Sequence, residues 1–139
     1  MQKVEGHFED LHWTECNIKK TVINRSEKNI EVWAEFLEVY PPHPFSRTCK
    51  SSDIFIAVFE NVHSSKLAIT EYIGDASEGQ VKPTVTKVDC FREEKEESDC
   101  GKEFSLEGVL LDDLGRKHAW ISWDIVAEKF YLERKSQEE

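Results

Sequence analysis

At 139 residues the chain has the length of one domain. Its hydrophobic fraction of 39%, with eight Phe, four Trp and three Tyr, is enough for a core and excludes wholesale disorder. Lys and Arg number 18 against 28 Asp and Glu, a formal net charge of −10 that argues against binding nucleic acid or an anionic membrane.

In chain order, residues 7–13 lead into a first predicted strand over 15–23, where Cys16, Ile18 and Val22 share a face. The polar run 24–29 reads as a turn. Residues 30–39 alternate, with Ile30, Val32, Ala34 and Phe36 on one side and Glu31 and Glu35 on the other. A helical reading of 32–40 is set aside because β-branched and aromatic residues dominate. The pair Phe36-Leu37 breaks the period, as expected for a bulge or for a strand covered on both faces. Pro41, Pro42 and Pro44 open a loop that runs to Ser52.

Residues 54–59 form a continuous apolar run, the pattern of a central strand buried on both faces. A turn is expected over 61–65. Alternation then resumes over 66–73, with Leu67, Ile69 and Ile73 on one side. After a loop at 74–80, residues 84–91 predict another strand, with Pro83 at its beginning. Residues 92–102 (REEKEESDCGK) have no apolar residue except Cys100 and predict a mobile acidic loop.

The most regular pattern lies in residues 103–133. Phe104, Leu106 and Leu110 share one side of one run, and Ala119, Ile121 and Trp123 share one side of the next. Between them, Asp112, Asp113, Leu114 and Gly115 form a turn candidate, with Gly115 suited to the left-handed conformation that closes a bulged hairpin. Phe130-Tyr131-Leu132 makes a third run, and a frayed tail is expected over 134–139. Short strands between turn signals, with no internal repeat or linker, predict a single all-β domain, mainly antiparallel. It would be a sandwich or partly open barrel with room for one short helix.

Chemistry-bearing residues are scattered. Glu93, Glu94, Glu96, Glu97 and Asp99 supply carboxylates, but their order lacks the spacing of a calcium loop, so they read as a solvated face. The five histidines, His7, His12, His43, His63 and His118, include no close ligand pair. No metal or other cofactor is therefore expected. Cys49 has no flanking motif of a nucleophile, and neither a GxSxG elbow nor a glycine-rich phosphate loop is present. Catalysis is accordingly not expected. Cys90 and Cys100 would brace the acidic loop in an oxidising compartment. No apolar run approaches the ~18 residues of a membrane helix. The first ten residues lack the apolar core of a signal peptide, so a cytoplasmic location with reduced cysteines is expected. Asn24-Arg25-Ser26 fits the glycosylation acceptor pattern.

Trp120 and Trp123 fall on opposite faces of a regular strand, while His118, Trp120, Ser122 and Asp124 share one face. A Trp beside a His and an Asp is a candidate contact surface. Composition and strand rhythm together resemble the small acidic β-rich proteins of bacteria, among them toxin-neutralising immunity proteins. That resemblance implies a non-catalytic protein that occludes a partner with a basic surface. The candidate contacts are Glu93, Glu94, Glu96, Glu97, His118, Trp120 and Asp124. The alternative is a small-ligand-binding β-barrel, since a curled sheet with inward aromatics leaves a cavity at its mouth.

Overall fold

The computed structural model describes residues 2–50, 52–71, 85–94, 101–112 and 115–135. The alternation of the last run is realised along β9 (Lys117–Lys135): Ala119, Ile121, Trp123, Ile125 and Ala127 are buried, and the residues between them are partly exposed. The other long strands are β6 (Ile54–Glu71), β7 (Val85–Glu93) and β8 (Lys102–Leu111). Shorter ones are β1 (Gln2–Glu5), β2 (Leu11–His12), β3 (Asn17–Asn24), β4 (Asn29–Glu35) and β5 (Glu38–Val39). Helical structure among the described residues is limited to 3₁₀ turns at Phe8–Asp10 and Pro44–Arg47. The fold is all-β and antiparallel, as the alternation predicts.

Seven strands run in the order β1-β9-β6-β4-β3-β7-β8, and β8 also pairs with β9, so the sheet curls into a ring. The seam between β3 and β7 is thin. It consists of Asn17 opposite Lys87 and Ile18 opposite Thr86, extended by backbone hydrogen bonds between Glu15, Cys16 and Val88. A bulge between Ile18 and Lys20 then takes β3 away from β7. The result is a partly open barrel. β2 and β5 form a separate two-stranded ribbon.

The interior is aromatic. Phe59 lies 4.9 Å from Phe104 and 5.2 Å from Phe130, centroid to centroid. The 3₁₀ turn at Phe8–Asp10 inserts Phe8 among them, 5.0 Å from both Phe104 and Phe130. β7 and β8 approach closely at Gly108, where a Cβ would come within 2.6 Å of the Lys87 carbonyl oxygen. The hairpin turn is as expected: Gly115 has φ +78°, and its N–H donates to the Asp112 carbonyl at 3.0 Å.

Several expectations need correction. Residues 61–65 do not reverse the chain. Asn61 adopts φ 54° and the register slips between Val62 and Ser64, so the irregularity is absorbed as a bulge while β6 continues for 18 residues along β9. Phe36 is not on the inward face with Ile30, Val32 and Ala34. It sits at φ 63°, 56% exposed, and the period break sends Leu37 into the core instead. The acidic loop is shorter than 92–102. Arg92 and Glu93 pair with Ser105 and Phe104 inside the β7–β8 ladder, Lys102 opens β8, and Glu94 N–H donates to the Glu103 carbonyl at 2.8 Å. Residues 95–100, with Glu96, Glu97, Asp99 and Cys100, lie outside the described residues. The tail is not frayed from 134. Arg134 and Lys135 belong to β9, and Arg134 donates to Thr48 Oγ1 at 2.6 Å and to Gln2 Oε1 while its guanidinium covers the Phe45 ring. Residues 136–139 are outside the described residues.

Candidate functional site

The predicted contact face is real as geometry but largely satisfied internally. A regular β9 places Trp120 outward, half-buried, and Trp123 inward, 4% exposed. Trp120 stands between Thr70 of β6 and Val109 of β8. Asp124 stands between Lys66 and Ser105 and accepts from Ser105 Oγ at 2.8 Å. Arg92 is the next residue across, and its Nε donates to Glu94 Oε1 at 3.0 Å. The hydrogen bond from Arg92 holds the Glu94 carboxyl below its ordinary value. Ser105 thus stands between Asp124 and Arg92 across the sheet, and Arg92 holds Glu94. Glu93 lies 3.4 Å from Lys102 Nζ. His118 is drawn away to the hairpin end, where its Nε2 meets Asp112 Oδ2 at 2.8 Å. The fold therefore brings Asp124 and Glu94 together and leaves His118 in a separate cluster.

The nucleophile and metal candidates are no better assembled. The Cys49 thiol donates to the Ser46 carbonyl at 3.8 Å. Burial pushes the Cys16 thiol up to about 12, which keeps it protonated. Among the described residues no three His, Cys, Asp or Glu side chains converge as a metal site.

Two buried side-chain nitrogens among the described residues lack a hydrogen-bond partner, Trp13 Nε1 and His43 Nε2, and of the two only His43 titrates. Its Nδ1 accepts the Phe45 N–H at 3.1 Å, so a neutral ring carries its proton on Nε2. That nitrogen is buried without a hydrogen-bond partner, and the His7 ring lies edge-on at 5.4 Å. Burial first, then His7, lowers the His43 pKa from 6.5, with the Asp10 carboxylate acting in the opposite sense. In the unfolded chain the group titrates at about 6.5, whereas the folded state takes up the proton only at lower pH. Its contribution to stability is therefore complete above about pH 6.5 and is lost as pH falls through that value toward the lowered one. Denaturation midpoints should drop between about pH 7 and about pH 5, and His43→Asn, whose Oδ1 can replace Nδ1 as acceptor, should flatten the slope. A slope unchanged in the variant would assign the effect to other groups.

The most distinctive feature lies where the ring opens. β4 pairs with β6 only from Ile54 to Phe59, and β6 runs on to Glu71 beside β9. Leu67 is opposite Trp123, and Ile69 is opposite Ile121. Cross-strand partners share a face, so both leucine and isoleucine project from the inner face of the sheet. Yet Leu67 is 50% and Ile69 52% exposed, while Trp123 and Ile121 are buried. Ile23, which pairs with buried Ile30, is 50% exposed for the same reason. A cleft of about 440 Å³ opens here, its lining including the apolar Ile23, Ile30, Val62 and Leu67 and the cationic Arg25 and Lys28. Ser65 is also in its wall and accepts the Trp123 indole N–H at 2.7 Å.

Sequence reasoning missed this cleft as a set of residues. Leu67 and Ile69 were legible as one face, but alternation carries no sign of whether that face is covered. Arg25 and Lys28 fell within a polar turn with no distinguishing mark. Comparison with protein-family models, curated proteins and solved structures finds no match to this chain.

Proposed function

We propose that the chain is a small-ligand-binding β-barrel whose site is the open mouth between the β3–β4 hairpin and the far half of β6. The observation that carries this reading is the exposure of Leu67 and Ile69 on the face that elsewhere forms the core. Inward apolar side chains left in water are stabilised by an apolar occupant, and about 440 Å³ falls in the range of small-molecule pockets. Free thiols at Cys16, Cys49 and Cys90 suit a reducing compartment, the cytoplasm.

The test is a titration with dodecanol, an uncharged apolar probe, followed at the Trp123 indole N–H resonance. Saturable binding at one site should shift that resonance through Ser65. Leu67→Asp should weaken binding about tenfold or more, the equivalent of losing a buried leucine contact, with the thermal midpoint retained. If the wild-type chain takes up no dodecanol, this reading falls. The acidic-interaction reading, supported by the net charge of −10 and by the Glu94–Asp124 patch with Trp120 nearby, then becomes the better one. Its partner would be a protein with a basic surface, met by electrostatic complementarity.

A further inference from the structure

We infer that the occupant of the barrel mouth is a single-chain amphiphile with an anionic head group, bound with its tail against Leu67 and its charge between Arg25 and Lys28. This rests on the cleft reading above and adds the chemistry of the ligand. In a protein with 28 acidic and 18 basic residues, no Asp or Glu occurs among the described residues of this cleft, whereas Arg25, Lys28 and His63 do. By contrast, the cleft beside Phe8 and Phe91 is lined by Glu9, Glu93 and Glu94 against the single cation Arg92. The local sign is thus opposite to that of the whole molecule.

The cations are also uncommitted. His63 Nε2 lies 3.5 Å from Glu128, but neither Arg25 nor Lys28 makes an ion pair among the described residues. Their backbone is held in place. Asn24 Oδ1 accepts from Ser26 Oγ at 2.9 Å and from Glu27 N–H at 3.2 Å, bracing the hairpin turn. Lys28 has φ 59°, and its carbonyl accepts the Val62 N–H at 2.9 Å, which pins the hairpin to the bulge of β6. Two cations on a braced turn at the rim of an apolar cleft match an anion joined to an apolar chain. Charge-assisted hydrogen bonds from both would anchor the head group.

Parallel titrations of the full chain with dodecanoate and dodecanol, by calorimetry and the Trp123 indole resonance, decide the matter. Dodecanoate should bind about tenfold more tightly than dodecanol, the worth of one charge-assisted hydrogen bond. The double variant Arg25→Gln, Lys28→Gln should erase that difference by weakening dodecanoate binding about tenfold. Equal affinities in the wild-type chain overturn the anion site while the apolar cleft survives. Absence of saturable binding for both probes overturns the cleft reading and this inference with it. Binding to phosphatidylglycerol vesicles, with no saturable uptake of monomeric dodecanoate, would make this face a membrane-contact surface and overturn the single-molecule site.

Discussion

Replacing Phe59 with alanine should lower the free energy of unfolding by about 3–5 kcal/mol, the usual cost of deleting a fully buried phenylalanine. Phe59 has no exposed surface. Its backbone lies between Ile30 of β4 and Phe130 of β9, and its ring meets Phe91, Phe104 and Phe130 from three different strands. Truncation removes apolar contact on all sides at once, together with aromatic contacts worth ~0.5–1.5 kcal/mol each beyond area burial. Because stabilities of such domains are only about 5–15 kcal/mol, the variant should be marginally folded. Urea denaturation provides the check: the midpoint should fall with little change of slope. A loss under about 1 kcal/mol would mean that the surrounding rings collapse into the space, contrary to a rigid aromatic interior.

Asp112→Ala should cost about 2–3 kcal/mol. The Asp112 side chain is fully buried at the hairpin end. Its Oδ1 accepts the Arg116 N–H at 2.9 Å, and its Oδ2 accepts from Arg116 Nε and faces His118 Nε2, both at 2.8 Å. Removing one partner from a fully buried ion pair costs ~3–5 kcal/mol, mainly through the charge left behind. Here Arg116 remains 34% and His118 20% exposed, so water recovers part of that loss. Asp112→Asn should cost less, because its amide oxygen still accepts the Arg116 N–H. Thermal denaturation of the two variants tests this order, and an alanine variant as stable as wild type would show the cluster to be dispensable. The cluster also bears on His118, which the carboxylate engages through Nε2 at the hairpin end and not beside Asp124.

Much of the architecture was readable along the chain. The period of two in Phe104, Leu106, Ala119, Ile121 and Trp123 named the inward face of β8 and β9, and all five residues are buried. The same rule placed Trp120 and Trp123 on opposite faces. Gly115 marked the turn because few other residues adopt its positive φ at no cost. The apolar run at 54–59 marked a strand covered on both sides, and Phe55, Ile56, Ala57, Val58 and Phe59 are all buried.

Other properties were decided by distant pairing. Asn61 reads as a turn residue, yet sixteen positions of β6 align with β9, and that ladder carries the strand past a single left-handed residue. Leu67 and Ile69 show which way they point, not whether anything lies opposite. They line an open mouth because β4 begins only at Asn29 and its first partner on β6 is Phe59, opposite Ile30. Arg25 and Lys28 also line that mouth because the Lys28 carbonyl meets the Val62 N–H, thirty-four residues away. The pleat assigns each side chain to a face from its immediate neighbours, so a local pattern records it. Cover, closure and the meeting of charges with an apolar wall depend on contacts between remote segments, and these form only as the sheet curls.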